Sequence, residues 1–350
     1  MSKDPLVSVI IYNYNYGRYL SACFDSVINQ TYQNIEILFS DNASTDDSWK
    51  IAQSYSQRFP NLFFLARNRK NFGGAANQKN CLINMRGKYT IFLGSDDIIK
   101  PDYISTCVDE MEKHLDAAFV MVHRSIIDEH GGETEEAPFY DNDYKLYPPS
   151  QIGVYFMTPI NPSISQVFYR SSSLQKPGHM NTLSHMNTLN DLYFGHRFVD
   201  FLMCLEMPII YLKKALIAHR IHGESQSQRA TENLIQIIGQ YLLNHQLKEM
   251  TLGFDFKVVD KKFEQSIKKI AAVSLRYSTD ALIHGKPKLA KKYWHLSLAI
   301  EPELESSKLA QELSKAIETG EHELIKSLQT NHDGKLRSVP YKPDPPFERI

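Results

Sequence analysis

Short apolar runs alternate with helix-like segments along the first 120 residues. The runs that predict strands are Leu6–Ile11, Ile35–Phe39, Leu62–Leu65, Tyr89–Leu93 and Ala117–Val122. The first run, Leu6–Ile11, is rich in β-branched residues, which is typical of a strand covered on both faces. Strands separated by helices imply βαβ units, and therefore a mostly parallel sheet with right-handed crossovers.

The intervening segments repeat apolar residues at helical spacing. They predict helices over Arg18–Ile28 and Ala75–Met85, a helix opened by a capping box at Ser44–Asp47, and a helix with Pro101 in its first turn that runs to about His114. An α/β sheet flanked by helices is therefore expected.

Beyond residue 130 the pattern becomes less regular. The segment Gly131–Ser150 is polar, acidic and proline-containing, and predicts a surface loop over a site. Structured segments are expected again at 164–169, at a helix over 190–205 and at a strand over 209–217.

Past Gln226 only helical periodicity remains. Residues 281–302 have the form of one tetratricopeptide-type helical hairpin, and one such unit is too few for a solenoid. The tail from Asn331 carries four prolines and is expected to wrap the surface or to be disordered. We therefore expect a Rossmann-like α/β domain over 1–225, a helical appendage over 226–325 and a proline-rich tail over 326–350.

Composition narrows the class of protein. The 350 residues are 42% hydrophobic, so the chain can bury a large core. A formal net charge of −1 gives no electrostatic case for nucleic acid as a partner. The four cysteines are far apart, which suits reduced thiols in the cytoplasm. No apolar stretch approaches the roughly 18 residues of a membrane span, so a soluble, cytoplasmic protein is expected.

Polar segments follow four of the predicted strands. They are Tyr12–Asn15, Asp41–Asn42, Arg67–Asn77 and Asp96–Asp97. In open parallel sheets ligands bind outside the carboxyl ends of the strands, so these segments could hold one ligand. The adjacent carboxylates of Asp96 and Asp97 repel each other, and such a pair usually needs a cation.

Four motifs in this order and spacing resemble the family 2 glycosyltransferases with the GT-A fold. They are Pro5–Asn15, Asp41–Asp46, Gly87–Tyr89 and Asp96–Asp97, and the resemblance covers roughly residues 5–225. It implies an inverting transfer of a hexose or N-acetylhexosamine from a nucleotide-diphosphate sugar, with a UDP-sugar favoured. The implied acceptor is a hydroxyl of a glycan or lipid-linked glycan, as in bacterial polysaccharide or glycolipid biosynthesis.

The resemblance also implies a Mn²⁺ or Mg²⁺ cofactor that stabilises the leaving diphosphate. Asp96 falls on the last Asp of the family's D-x-D motif, and Asp97 lies next to it. Gly94 replaces the first Asp, so His222, in a segment similar to the family's Arg-x-His, is the candidate that completes the metal shell. The alternatives are a turn or capping role for the two carboxylates, and a structural histidine.

On the nucleotide side, the resemblance places Asp41 where the family's carboxylate accepts a hydrogen bond from the base. The alternative for that residue is an Asx turn or a cap for the helix that starts near Thr45. The segment Asn71–Asn77 matches the family's glycine-bearing loop, which would let the chain approach the nucleotide. Lys79, on the helix that follows, either contacts phosphate or is a solvated helix residue. The implied nucleotide-binding residues are Tyr12, Asn13, Asn15, Asp41, Gly73, Gly74, Asn77, Lys79 and Asp96.

The base that deprotonates the acceptor is expected on a helix near residue 190. The family's Glu-Asp pair aligns with Asn190 and Asp191, which makes Asp191 the catalytic base. The alternative for Asp191 is a carboxylate that complements a helix dipole, and Asp200 is the second candidate for the base.

Two other functions stay open on the sequence. Gly94 and Asn190 depart from the family pattern, so a catalytically weakened nucleotide-sugar-binding or scaffolding protein is one alternative. A sugar nucleotidyltransferase shares the sheet architecture, but the expected phosphate loop is missing after the first strand. The pairs Lys261–Lys262 and Lys268–Lys269 are compatible with peripheral contact to anionic lipid at the inner face of the membrane, and a solvated helix face is the alternative.

Overall fold

The computed structural model describes residues 4–150, 163–176, 196–223, 232–253, 257–320, 325–326 and 340–350. Within these ranges the chain forms an 11-stranded mixed sheet. The strands are β1 Val7–Asn13, β2 Ile35–Asp41, β3 Phe63–Arg67, β4 Tyr89–Phe92, β5 Ile98–Ile99, β6 Phe119–Ile127, β7 Glu133–Glu135, β8 Tyr144–Leu146, β9 Val167–Arg170, β10 Ile209–Arg220 and β11 Phe347–Arg349.

The sheet has the spatial order β11-β8-β10-β6-β9-β4-β1-β2-β3, with β5 paired to β10 and β7 paired to β6. The strands β4, β1, β2 and β3 are parallel neighbours, and β6 is parallel to β10. Strand β9 separates the two groups and is antiparallel to both β4 and β6. The predicted α/β class with a mostly parallel central sheet is confirmed.

Helices flank this sheet and then continue as a separate run after it. They are α1 Gly17–Ile28, α2 Ser48–Arg58, α3 Gly74–Leu82, α4 Tyr103–Lys113, α5 Ser171–Leu174, α6 His196–Glu206, α7 Ile235–Met250, α8 Lys257–Ile283, α9 Pro287–Ile300 and α10 Lys308–Thr319. Short 3₁₀ turns cover Ile164–Gln166 and Pro302–Ser306.

Two cores lie on opposite faces of the sheet, because the side chains of β1 alternate between them. Val9 and Ile11 pack with residues of α1, α2 and α4, whereas Ile10 packs with residues of α3 and α6. Because β1 pairs in parallel with β2 and with β4, the carboxyl ends of these strands lie at one edge, where the site residues gather.

The second helix begins later than predicted, and the capping box is not formed. Asp47 is the N-cap residue of α2, and its own side chain makes no capping bond, whereas Asp46 Oδ1 accepts from the Ser48 amide at 3.0 Å. The Ser44 hydroxyl donates instead to the Asp41 carboxylate, which withdraws it from the helix. Pro101 likewise lies in a turn before α4, with its carbonyl bonded to Thr31, rather than in the first turn of the helix.

The predicted surface loop 131–150 contains two strands, and this prediction was wrong in that respect. Strand β8 is buried and antiparallel to both β10 and β11. Its partner β11 lies about 200 residues further along the chain, so neighbouring residues could not indicate it. The proline-rich tail therefore adds an edge strand to the central sheet.

Two lysines of α8 hold this tail in place. Lys262 forms an ion pair with Asp344, and Lys269 Nζ donates to the Tyr341 hydroxyl at 2.7 Å. They are seven residues apart and so share one face of the helix. The solvated-face prediction is thus wrong for Lys262 and Lys269, although it fits the exposed Lys261 and Lys268.

Helices α8 and α9 form the hairpin expected at residues 281–302. Gly285 adopts the left-handed conformation (φ 69°) at the turn, and Pro287 opens α9. Helix α8 spans 27 residues, so it is longer than a helix of the tetratricopeptide unit that the sequence predicted. In the part of the chain described above, no helix combines the length and apolar character needed to cross a bilayer.

Candidate functional site

The polar residues that follow β1, β2 and β4 meet at one edge of the sheet. Strands β1 and β2 pair Asn13 with Asp41, and β4 lies on the other side of β1. After β4 the chain makes a tight turn in which the Asp97 amide donates to the Gly94 carbonyl at 3.1 Å. This turn and the end of β10 form a corner that carries the carboxylates of Asp96 and Asp97 and the imidazoles of His219 and His222.

One carboxylate of this corner faces an imidazole. Asp96 Oδ2 lies 3.2 Å from His222 Nε2, and the Asp96 side chain is 19% exposed whereas that of His222 is 1% exposed. The His222 ring packs against Tyr16 and Tyr19, with ring centroids 5.4 and 4.8 Å away. Arg18 Nη2 lies 3.3 Å from His222 Nδ1. The imidazole is therefore fixed: Arg18 donates to Nδ1, and Nε2 donates to the Asp96 carboxylate at the strand ends.

The neighbouring carboxylate, Asp97, is used inside the protein. Its Oδ1 accepts from the Arg220 amide at 3.0 Å and lies 3.0 Å from His219 Nδ1, and its Oδ2 accepts from Ser165 Oγ at 2.6 Å. Burial alone would raise the pKa of Asp97, but His219 and these hydrogen bonds bring that pKa below its ordinary value. Asp97 thus organises the corner, and this geometry does not support the metal-ligand role expected for it.

Gly94 stands where the resemblance expects the first motif Asp, and the structure shows why a larger residue is disfavoured. A Cβ built on Gly94 would lie 2.9 Å from Asp97 Oδ2 and 3.1 Å from Asp96 Oδ1. Side-chain atoms at that position would displace both carboxylates. The departure from the motif is therefore part of the packing of this corner.

We expect Gly94→Asp to lower the free energy of unfolding by about 1–3 kcal/mol, because overpacking forces neighbours to move. The substitution is not expected to tighten Mn²⁺ binding, although it restores the family's motif. Urea denaturation and calorimetric titration with Mn²⁺ would measure both quantities.

Gly94→Ala and Gly223→Ala provide a matched control pair for this prediction. Both add one methyl group near the same corner, but a Cβ on Gly223 has no atom within 4 Å. Only Gly94→Ala should destabilise the protein. Tighter Mn²⁺ binding by Gly94→Asp would contradict the packing argument.

At the other end of the site, Asp41 is fully buried and its oxygens are occupied. Oδ1 accepts from Ser44 Oγ at 2.5 Å, and Oδ2 accepts from the Ser44 amide at 3.0 Å and from Arg67 Nε at 3.2 Å. The bond to the Ser44 amide, three residues on, is a local side-chain-to-backbone bond, so Asp41 has a structural task inside the protein. A contact between Asp41 and the base of a nucleotide stays a prediction.

Asn13 offers a buried acceptor beside Asp41. Its Nδ2 lies 3.2 Å from both Asp41 Oδ1 and Ser44 Oγ, to which it donates. Within the described part of the chain, its buried Oδ1 has no hydrogen-bond partner. A buried acceptor without a donor is costly, so this atom marks a place where a donor group of a ligand would be stabilising.

Tyr12 connects the two ends of the site. Burial, with the charges of Asp96 and Asp97, raises the pKa of Tyr12 to about 12, so the phenol is neutral near pH 7. Asn15 is exposed with φ 60°, and its Oδ1 accepts from the Thr45 amide at 2.8 Å. Both residues border the edge where the strands end.

The glycine-bearing loop leaves its backbone uncovered. Gly73 has φ 87°, and a Cβ built on Gly73 or Gly74 would have no atom within 4 Å. Asn77 is buried instead and donates to the carbonyls of Ser40 and Asn13, so it links the sheet to α3. Lys79 is exposed on α3, which agrees with the alternative of a solvated helix residue.

Asp191, the predicted base, and its neighbour Asn190 both lie outside the described residues. The catalytic role of Asp191 therefore stays a prediction. The second candidate, Asp200, is 1% exposed on α6 and accepts from the Tyr169 hydroxyl at 2.6 Å. A carboxylate buried in the core in this way is a poor position for proton transfer to a substrate.

Sequence reasoning missed the residues that support the corner from elsewhere. Ser165 and Arg18 belong to no predicted motif, and only their distances to Asp97 and His222 reveal them. Arg18 and Arg220 also lie over the two sides of the corner's Tyr19, with guanidinium carbons 4.6 and 4.7 Å from its ring centroid. These arginines border a cavity of about 530 Å³ next to the corner.

Three known proteins show what this chain is similar to. It is 36% identical over 131 residues to chondroitin synthase of Escherichia coli, which is 37% of this chain and 19% of that protein. TarS of S. aureus in complex with UDP-GlcNAc has a TM-score of 0.50 at 16% identity, covering 90% of this chain and 92% of that one. The mannosyltransferase PcManGT of Pyrobaculum calidifontis, in complex with GDP-Man and Mn²⁺, has a TM-score of 0.50 at 13% identity and covers 94% and 84%.

The two structures show the fold alone at these identities, and they confirm the predicted GT-A fold with a helical C-terminal part. The chain spans about a fifth of the length of chondroitin synthase. Residues 8–169, which carry the ends of β1, β2 and β4, match the family model described as Glycosyl transferase family 2. These residues therefore form a domain of glycosyl transferase family 2.

Proposed function

We propose that this protein is a divalent-cation-dependent glycosyltransferase that uses a nucleoside diphosphate sugar as its donor. The single observation that carries this proposal is the Asp96–His222 pair, held at the strand ends of a family 2 domain with its atoms 3.2 Å apart. The scaffolding alternative does not explain why the Asp96 carboxylate, which is partly exposed, lies at the strand ends where ligands bind in such sheets.

The residues present fit a cation that also contacts phosphate. Asp96 supplies a hard oxygen and His222 a nitrogen, a mixed pair that Mn²⁺ accepts. Within the described ranges no group of three or more His, Cys, Asp or Glu side chains could hold a metal ion. Phosphate oxygens and water would therefore complete the shell. When bound, the cation would offset the negative charge that develops on the leaving diphosphate.

The donor class rests on the fold neighbours and on the geometry of the base end. TarS was crystallised with UDP-GlcNAc and PcManGT with GDP-Man, both nucleoside diphosphate sugars. The buried Asn13 Oδ1 without a donor lies beside Asp41, and an imide N–H such as that of uracil would satisfy it. We therefore propose a UDP-sugar. A glycan or lipid-linked glycan as acceptor is supported by the likeness to chondroitin synthase.

In the proposed reaction, an acceptor hydroxyl displaces the diphosphate at the anomeric carbon with inversion. Asp191 would take the proton of that hydroxyl as the new bond forms, which contributes roughly 10²–10⁴-fold. Tyr12 and Asn13 would line the base and ribose side. Asp97 would keep the turn that presents Asp96 in place.

A thermal-shift panel of UDP, GDP and dTDP, each with Mn²⁺, tests this proposal. A ligand at about 100 times its Kd adds about 2.7 kcal/mol, which corresponds to a rise of about 5 °C in Tm for a domain of this size. The shift should require both the cation and the nucleoside diphosphate, with inorganic sulfate as a control. No shift with any nucleoside diphosphate in the presence of Mn²⁺ would rule the proposal out.

A further inference from the structure

The buried Asn42 fixes a whole loop with one side chain. Its Nδ2 donates to Asn71 Oδ1 at 2.7 Å and to the Gly73 carbonyl at 3.2 Å. Its Oδ1 accepts from Asn68 Nδ2 at 2.9 Å and from the Phe72 amide at 3.0 Å. An amide side chain can make about four such bonds, and here all of them reach the segment 68–73.

Asn42 also ties this loop to the end of the site where the base is expected. Its own amide donates to the Asn13 carbonyl at 2.9 Å, and the Asn68 amide donates to the Asp41 carbonyl at 2.8 Å. The loop therefore continues the edge formed by β1 and β2. It does not contact the Asp96–His222 corner through any of these bonds.

The loop presents one large aromatic side chain. Phe72 is 51% exposed, although its backbone is clamped, and Lys70 Nζ lies 5.2 Å from its ring centroid. The neighbouring Gly73 and Gly74 leave open space beside the ring. A planar apolar ring held in this way can stack on a planar ligand, and it loses little conformational entropy when it does so.

We propose that Asn42 is a positioning residue that presents Phe72 as the stacking surface for the nucleobase of the donor. This inference rests on the proposed function and deepens it, because it divides the affinity for the donor into two parts. The Asp96–His222 corner would hold the diphosphate, and the clamped loop would hold the base. Stacking accepts any base, so Phe72 would add affinity and leave the choice between bases to other contacts.

Calorimetric titration with UDP and with pyrophosphate, both in Mn²⁺, separates these parts because pyrophosphate has no base. Phe72→Ala should weaken UDP binding about tenfold or more, since stacking on an aromatic ring contributes roughly 1–3 kcal/mol per base. Pyrophosphate binding should stay unchanged. Phe72→Trp keeps an aromatic face and should retain most of the affinity for UDP.

Asn42→Asp keeps the size of the side chain but removes both N–H donors. It should cause a similar selective loss for UDP, because the Asn71 and Gly73 oxygens would face a carboxylate and the loop would move. Asn84→Asp is the matched control: Asn84 Nδ2 donates to the Asn80 carbonyl at 2.8 Å, outside the segment 68–73. That variant should change neither affinity, whatever it does to stability.

Two results with the variants would overturn the inference. One is unchanged UDP affinity in Phe72→Ala, and the other is an equal loss for UDP and pyrophosphate in Phe72→Ala and Asn42→Asp. If the unaltered protein bound pyrophosphate and UDP equally tightly, the base would have no binding surface, and the inference would fail while the proposed function stood. If it bound no nucleoside diphosphate at all, both would fail.

Discussion

Replacing Asp96 with alanine is expected to abolish the Mn²⁺-dependent stabilisation by nucleoside diphosphates and to lower sugar transfer about a thousandfold. The physical reason is that Asp96 supplies the only carboxylate of the corner that faces outward in the described structure, since both oxygens of Asp97 are engaged. A cation at a leaving diphosphate contributes several kcal/mol, and each 1.36 kcal/mol is tenfold in rate. Thermal shift and a transfer assay with UDP-sugars would measure the two effects.

His222→Ala should give a weaker version of the same result, because the Asp96 carboxylate, the charged member of the proposed pair, remains. Asp47→Ala is a suitable control, since Asp47 is an exposed carboxylate that pairs with Lys50 at the start of α2. It should leave both readouts unchanged. If Asp96→Ala retained the full Mn²⁺-dependent shift, the corner would not be the metal site.

The sheet and the edge that carries the site could be predicted because their signals are local. Strand β1 is apolar apart from Ser8 until it ends in Tyr12 and the polar Asn13. The same reasoning predicted β2, β4 and the carboxylates after β4. A strand that is buried on both faces must end where polar residues begin, so the strand ends, and therefore the site, follow from the pattern.

The roles of individual residues at that edge could not be predicted in the same way. Asp96 and Asp97 are adjacent and chemically identical, and only residues far along the chain distinguish them. Ser165 and Arg220, which bond to Asp97, are 68 and 123 residues away from it. Ser44 similarly fits a helix cap by its spacing, but the buried Asp41 carboxylate takes its hydroxyl. Residues that are distant in the sequence decide which of the possible hydrogen bonds form, so the local sequence does not show the outcome.

The proline-rich tail likewise contains a strand, β11, that its local sequence does not predict. Strand β11 pairs with β8, and neither strand has an apolar run of its own long enough to predict it. Their pairing depends on contacts such as Lys262 with Asp344, which join the helical part to the tail. A polar segment can therefore be an internal strand when a distant segment covers its edge.

Asp97→Ala is expected to lower the free energy of unfolding by about 3 kcal/mol, because removing one partner of a buried charged group leaves the others uncompensated. The Arg220 amide would lose its acceptor in a buried place, and His219 and Ser165 would lose theirs. Urea denaturation without metal would measure the loss, with Asp96→Ala as the matched neighbour. Since Asp96 is partly exposed, its removal should change the free energy of unfolding by less than about 1 kcal/mol.

The two substitutions therefore separate cation binding by Asp96 from stabilisation of the turn by Asp97. In Asp97→Ala, any loss of Mn²⁺ affinity should follow from a displaced Asp96, and Asp97→Asn, which keeps the size of the side chain, should recover part of the stability. The opposite pattern, an unchanged free energy of unfolding together with abolished Mn²⁺ binding, would make Asp97 a direct ligand. The pair at the end of β4 would then act as the two-carboxylate site that the sequence resemblance first implied.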